Sequence, residues 1–153
     1  MSKAVQNANA QFIEFVSVAP GHIKTKGDCT TRCISLCTGV DYMTIREEQF
    51  LNSAYSGVVW RCRDVWERSL TSRGFRVIHL PCRISRRRFI KIFGNDIENG
   101  MVATGSFGHV AAIDMKKKKV LDTWDSTGGR IKYIYVHSSQ YEMFRKAIEA
   151  RLG

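Results

Sequence analysis

The stretch Gly27-Asp28-Cys29-Thr30-Thr31-Arg32-Cys33-Ile34-Ser35-Leu36-Cys37-Thr38-Gly39 organises the chain. A turn-forming Gly-Asp pair precedes Cys29, small and apolar residues follow it, and Gly39 is a typical helix stop. The pattern therefore predicts a short helix that begins at Cys29. A cysteine at that place lies at the positive end of the helix dipole, among amide groups without a partner in the helix. Such a setting favours the thiolate, so Cys29 is the candidate nucleophile.

A second stretch, residues 108–125, predicts a β-hairpin, because two apolar runs flank a charged tip. With the tip near Lys116 and Lys117, His109 falls opposite Trp124. Asp122 then lies diagonally from His109 on the same face, within reach of a long side chain.

The hairpin supplies the groups that a nucleophilic cysteine needs. His109 is placed to take a proton from Cys29, and Asp122 to hold the other ring nitrogen and fix the tautomer. Asp125 is the alternative acid, although strand alternation puts it on the opposite face. His137 is a second, weaker candidate for the base, because no acid follows it at strand spacing.

In order and spacing, these motifs resemble the papain-like cysteine peptidase fold, in particular small peptidase-like proteins encoded by bacteriophages. Asp28-Cys29 opens a helix, Gly108-His109 opens an apolar strand, and Asp122-Thr123-Trp124 stands where papain-like enzymes carry Asn-Ser-Trp. The resemblance implies a Cys-His-Asp catalytic triad and a tryptophan, Trp124, that shields the His–acid bond from water. It also implies cleavage of peptide or isopeptide bonds through an acyl-enzyme, a protein or peptide substrate, and no cofactor.

One position departs from the family pattern. Papain-like enzymes bind the oxyanion with a glutamine shortly before the nucleophile, and this chain has Ile23 at that place. The backbone N–H of Cys29 is therefore the predicted oxyanion donor, with Thr25 and Lys26 as helpers.

A metal site is the alternative use of the cysteines. Cys29, Cys33 and Cys37 share one face of the predicted helix, and His22 precedes it. Zinc-binding cysteines, however, usually come in pairs on a turn. We therefore predict that Cys33 and Cys37 are core residues and that no metal binds.

The length of 153 residues predicts one domain over residues 1–153, with a flexible tail over residues 1–10. No apolar run approaches the ~20 residues of a membrane span. The five cysteines are an odd number and favour reduced thiols. We expect a cytoplasmic protein without membrane contact, in the host cytoplasm if a phage encodes it.

The remaining segments predict an α+β fold, in which N-terminal helices pack on a C-terminal antiparallel sheet. Asp41 and Ser85 are good helix N-caps. The predicted strands cover residues 12–18, 75–80 (closed by Pro81), 101–104 and 131–136, and the predicted helices cover residues 42–54, 61–72, 86–93 and 139–152. The inner faces of the first and last of these helices are predicted from Tyr42, Ile45, Phe50 and Leu51, and from Met143, Phe144, Ala147 and Ile148.

The net charge of +10 makes a polyanionic partner the main alternative. Arg86, Arg87, Arg88 and Lys91 predict a basic ridge on one helix, which is either an anion-binding patch or a solvated helix face; the lysine-rich tip at residues 116–119 is a second basic segment. The alternative function is an inactive papain-like module that binds nucleic acid or an acidic protein through these basic patches.

Overall fold

The computed structural model describes residues 15–17, 28–59, 62–106 and 108–153. Six strands form one sheet, namely β1 (Phe15–Ser17), β2 (Phe75–Ser85), β3 (Met101–Ser106), β4 (His109–Asp114), β5 (Lys119–Asp122) and β6 (Arg130–His137). Their order across the sheet is β1-β5-β4-β3-β6-β2. The short edge strand β1 pairs in parallel with β5, and all other neighbours pair antiparallel.

Five α-helices lie in the described residues: α1 (Cys29–Thr38), α2 (Tyr42–Ser56), α3 (Arg63–Thr71), α4 (Arg86–Phe93) and α5 (Tyr141–Leu152). The fold class is therefore α+β, as predicted. The predicted helix start at Cys29 is confirmed, and α4 has the predicted bounds. None of these helices is long and apolar enough to cross a membrane.

Helices cover both faces of the sheet. One face carries α1, α2 and α3, whose buried side chains Cys33, Ile45 and Leu70 pack with β-strand residues such as Val110. The other face carries α4 and α5, which contribute Phe89, Phe93, Phe144 and Ile148 to a second core. The prediction that N-terminal helices pack on the sheet holds for the first face. The packing of α4 and α5 on the other face is not part of that prediction.

Local sequence sets the helix ends that matter for the site. The Asp41 carboxylate accepts bonds from the N–H groups of Met43 and Thr44 and so caps α2, as predicted. Gly39 ends α1 with a left-handed φ of 74° that suits glycine. The cores confirm that Cys33 and Cys37 are buried on the inner face of α1.

Two predictions about packing are wrong. Phe50 and Leu51 are 46% and 70% exposed, because the inner face of α2 is formed by Ile45, as predicted, and by Gln49. Met143 is likewise exposed, while Phe144 beside it is buried.

Strand β2 continues past Pro81 to Ser85, although a strand end was predicted at that proline. Its pairing with β6 shifts register between His79 and Ile84. Because β2 is an edge strand and the irregularity falls at Pro81, the missing N–H breaks no regular pairing. The predicted strand over residues 12–18 is described only at Phe15–Ser17, and the predicted tail at residues 1–10 lies outside the described residues.

Candidate active site

The β4–β5 hairpin brings the predicted histidine and acid together. Asp114 pairs with Lys119 and Ala112 with Leu121, and continuing this register puts His109 opposite Trp124. This is the register that the sequence predicts. His109 therefore begins β4 beside the end of β5, where Asp122 lies.

The Asp122 carboxylate is 1% exposed and is held by four donors. His109 Nε2 lies 2.6 Å from Oδ2, and the Ser126 hydroxyl donates to the same oxygen at 2.6 Å. The Thr123 N–H donates to Oδ1 at 2.7 Å, and Arg32 Nη2 donates to it at 3.2 Å. Burial on its own raises the pKa of Asp122, but the hydrogen bonds and the positive charge of His109 outweigh it and lower this pKa. Asp122 is thus a fixed carboxylate.

Cys29 contacts the other side of the same imidazole. Hydrogen bonding with the His109 side chain lowers the pKa of the Cys29 thiol, and since Nε2 faces Asp122, the ring nitrogen left for sulfur is Nδ1. The backbone N–H of Val110 also donates to the sulfur. Burial raises the pKa of Cys29, yet these bonds and the charges of His109 and Arg32 lower it below its ordinary value.

The surroundings of the His109 imidazole favour its protonated form. Burial disfavours its charge, but hydrogen bonds with Asp122 and Cys29 and their negative charges raise the pKa of His109 to about 9. A lowered thiol pKa beside a raised imidazole pKa is the condition for a thiolate–imidazolium pair.

Trp124 packs against the imidazole of His109. The ring centroids of His109 and Trp124 are 4.8 Å apart with a tilt of 42°. The tryptophan is 51% exposed, so it covers one face of the imidazole and keeps its own outer face in solvent.

A buried ion network that the sequence reasoning missed joins the nucleophile helix to the acid. Arg32, on α1, donates to Asp122 at 3.2 Å and to Asp28 at 2.7 Å. The Tyr42 hydroxyl donates to the other oxygen of Asp28 at 3.0 Å. The spacing of Asp28 and Arg32, four residues apart at a helix start, was the available signal. Arg32 therefore fixes the distance between α1 and β5.

A buried glutamine braces the first turn of α1. Gln49, on α2, accepts a bond from the Thr31 hydroxyl and donates to the Thr30 hydroxyl at 3.0 Å. All three side chains are buried. No sequence pattern identifies Gln49, because its role depends on how α2 crosses α1.

A cavity of about 640 Å³ opens beside Cys29 and His109. Its remaining lining comes from six elements and one turn residue, Gly108, and comprises Thr30, Arg63, Trp66, His79, Ser106, Gly108, Val110, Lys132 and Tyr133. Tyr133 lies over Gly105, where a Cβ atom would stand 2.6 Å from its hydroxyl oxygen. A side chain at this position of β3 would require the Tyr133 ring to shift.

One of the four residues predicted to form a basic ridge on α4, Arg86, does not lie on the surface. Arg86 is 2% exposed: its Nε donates to the Thr104 hydroxyl at 2.8 Å, and its Nη1 donates to the Ser126 carbonyl at 3.1 Å. The reason is that α4 starts directly at the end of β2, so its first side chain enters the core. Arg87 is half-buried and donates to the Thr127 hydroxyl, whereas Arg88 and Lys91 are exposed.

The remaining candidates are not brought to the imidazole. Asp125 accepts bonds from the N–H and hydroxyl groups of Thr127, so it stabilises a turn. His137 lies at the end of β6 and bonds Ser139. The oxyanion helpers Thr25 and Lys26 lie outside the described residues, as does His22. Within the residues that the structure describes, no cluster of three or more His, Cys, Asp or Glu is arranged to hold a metal.

Comparison with protein-family models, curated proteins and solved structures finds no match for this chain.

Proposed function

We propose that this protein is a papain-like thiol hydrolase that cleaves peptide or isopeptide bonds through an acyl-enzyme. The observation that carries the proposal is that Cys29, His109 and Asp122 come together beside an open cavity: His109 Nε2 bonds Asp122, and interaction with His109 lowers the pKa of Cys29. Nucleophile, base and orienting acid in contact are the arrangement required for nucleophilic acyl transfer.

In the first half-reaction, the Cys29 thiolate attacks the scissile carbonyl carbon and forms a C–S bond. The carbonyl π electrons move to oxygen and give a tetrahedral oxyanion. The His109 imidazolium then donates its Nδ1 proton to the leaving amine, the C–N bond breaks, and a thioester remains on the enzyme. Asp122 keeps the ring oriented and stabilises its positive charge.

The start of α1 supports stabilisation of the oxyanion. The N–H groups of the first helical turn have no intrahelical partner, and the helix dipole favours negative charge there. Because Cys29 is the first residue of α1, its own N–H is the proposed donor.

In the second half-reaction, neutral His109 accepts a proton from water as the water oxygen attacks the thioester carbonyl. Collapse of the tetrahedral adduct breaks the C–S bond, releases a carboxylic acid and restores the thiolate–imidazolium pair. The protons balance, and no cofactor is required.

An acyl-enzyme trap tests this proposal. The protein is mixed with a p-nitrophenyl ester of an acetylated amino acid, quenched in acid and analysed by intact and peptide-level mass spectrometry. We expect an acyl adduct on the peptide that carries Cys29, nitrophenol release in a burst, and loss of both in Cys29→Ala. Cys82→Ala, which removes an exposed cysteine, is the matched control and keeps the burst. Acylation elsewhere, or equal release from the Cys29→Ala protein, would refute the proposal.

A polyanion-binding module is the second candidate. Arg88 and Lys91 are exposed on α4, and Lys118 at the β4–β5 tip donates to Asn95 just beyond that helix, so the two predicted basic patches are neighbours. With a net charge of +10, this surface suits an acidic partner.

A salt titration of DNA or RNA binding tests the module. We expect affinity to fall steeply as the salt concentration rises. We expect this dependence on salt to be weaker in the double variant Arg88→Gln, Lys91→Gln. Affinity that the double variant leaves unchanged would exclude this surface.

A further inference from the structure

The cavity beside Cys29 carries positive charge at its wall. Arg63 and Lys132 line it, and none of its described lining residues is an aspartate or glutamate. A cavity lined by one sign of charge concentrates ligands of the opposite sign. The charges of the residues that line this cavity therefore favour a negatively charged ligand.

Arg63 is held rigidly at this wall. Its Nε donates to the Tyr135 hydroxyl at 2.9 Å, and its guanidinium carbon lies 3.9 Å from the centre of the Tyr133 ring. The Tyr135 hydroxyl in turn donates to Glu67 at 2.5 Å. The guanidinium plane is thus fixed by one hydrogen bond at its edge and by an aromatic ring at its face.

These contacts leave the donors that recognise a carboxylate. The contacts of Arg63 with Tyr135 and Glu67 both involve Nε. Neither Nη group has a hydrogen-bond partner among the described residues, and Arg63 lines the cavity. Two parallel N–H groups on a fixed guanidinium match the two oxygens of a carboxylate. Because the side chain is already ordered, little conformational entropy is lost on binding.

An aromatic wall next to Arg63 fits the body of a peptide. Trp66 and Tyr133 stack with ring centroids 6.5 Å apart at an angle of 29°, and both line the cavity. The volume of about 640 Å³ is within the range of small-ligand pockets and suits a short peptide segment around the scissile bond.

We propose that Arg63 is a specificity-determining residue that binds a carboxylate of the substrate, so that the preferred substrates are acidic peptides. The carboxylate comes either from an aspartate or glutamate side chain beside the scissile bond or from a free peptide C-terminus. This inference rests on the proposed function, because it uses the same cavity.

Labelling with peptide electrophiles tests the subsite and separates the two sources of carboxylate. Short chloroacetyl peptides are compared as matched pairs: glutamate against glutamine in the side-chain arm, and C-terminal acid against C-terminal amide in the other. The second-order rate at Cys29 is followed by peptide mass spectrometry, with exposed Cys82 as the internal control. We expect at least about tenfold faster labelling by the acidic member of one pair, the factor typical of a hydrogen bond to a charged group.

Variants of Arg63 assign the preference. Arg63→Gln is expected to abolish it by slowing only the acidic reagent, and Arg63→Lys to retain part of it. Arg145→Gln, which removes an exposed arginine paired with Glu142 on α5, is the control and keeps the full preference. Equal rates for both members of both pairs, or a preference that survives in Arg63→Gln, would overturn the inference.

A binding measurement separates this inference from the proposed function. In Cys29→Ala protein, which has no nucleophile, acetyl-glutamate amide and the acetyl-glutamate α-acid are titrated against acetyl-glutamine amide by NMR. Preferential binding of an acidic compound that Arg63→Gln removes supports the subsite, even if Cys29 is unreactive in the intact protein. No acidic preference here, with Cys29 rapidly labelled in the intact protein, would reject the subsite and leave the hydrolase proposal standing.

Discussion

His109 Nε2 and Asp122 Oδ2 are 2.6 Å apart, in a hydrogen bond that joins two strands of one hairpin and fixes which ring nitrogen faces Cys29. The bond depends on the register of the hairpin, because a slip of one residue would turn Asp122 to the opposite face of the sheet. Its consequences are testable.

The pH dependence follows from the two shifted pKa values. The reactive form needs Cys29 deprotonated and His109 protonated. The pKa of Cys29 is lowered, so the acidic limb of the rate profile lies below that of an ordinary thiol, about 8.5. The pKa of His109 is raised to about 9, so turnover falls as pH rises through that value. A profile of kcat/KM from pH 5 to 10.5 checks both limbs. A rate that rises through pH 9 like a free thiolate would contradict the pair.

Asp122→Asn keeps the shape of the side chain and removes its charge. We expect the pKa of His109 to fall towards its ordinary value of 6.5, because the carboxylate that stabilises the imidazolium is gone. The alkaline limb then moves to lower pH and kcat drops, with little change in KM. NMR titration of the imidazole measures the shift. An unchanged His109 pKa would show that Asp122 does not stabilise the imidazolium.

The stabilisation due to Asp122 has a definite pH window. Its pKa is lower in the folded protein than in the unfolded chain, so its contribution is complete above the unfolded value of about 3.9 and is lost as pH falls through the folded value. Denaturant unfolding at pH 7 is expected to show Asp122→Asn destabilised by about 3 kcal/mol, since Arg32 loses a buried partner. At pH 2 the difference shrinks. A difference that stayed constant with pH would show that the carboxylate charge contributes nothing.

Arg32→Met tests whether the ion network positions the nucleophile helix. Removing the guanidinium breaks its bonds to Asp28 and Asp122 at once, so α1 and β5 lose their tie. We expect kcat to fall about tenfold or more, with KM nearly unchanged, because a small misplacement of reacting groups is costly. Arg32→Lys, which keeps the charge, is expected to recover part of the rate. A change in stability alone would assign Arg32 a purely structural role.

Arg86→Met is expected to destabilise the fold by about 3 kcal/mol, since it leaves the Thr104 hydroxyl and the Ser126 carbonyl without a buried donor. Arg88→Met, two residues away on the same helix but exposed, is the matched control and should change stability by less than about 0.5 kcal/mol. Urea unfolding of both variants makes the comparison. Equal changes in stability for the two variants would contradict the burial of Arg86 and its hydrogen bonds.

The site was predictable where it depends on local periodicity. Asp28 and Gly39 mark the ends of α1, and the charged tip of the β4–β5 hairpin sets a register that follows from counting residues. Both features are short-range: the first places Cys29 at a helix start and the second brings His109 to Asp122, whereas the approach of Cys29 to His109 comes from α1 packing on β4.

What the sequence could not supply comes from packing between distant elements. Gln49 braces Thr30 and Thr31 only because α2 crosses α1, and Arg63 reaches the cavity only because α3 packs beside β6. The basic run on α4 shows the same limit. Its charge is visible in the sequence, but the burial of Arg86 depends on the strand end from which the helix starts.

The rate at which iodoacetamide modifies Cys29 at pH 7, measured by peptide mass spectrometry against Cys62 and Cys82 in the same molecules, tests the central claim most directly. These two controls are the exposed cysteines among the described residues. We predict that Cys29, although half-buried, reacts at least about tenfold faster than either control. In His109→Ala that advantage disappears. Modification of Cys29 no faster than of Cys62 and Cys82, or a rate unchanged in His109→Ala, would contradict the thiolate–imidazolium pair.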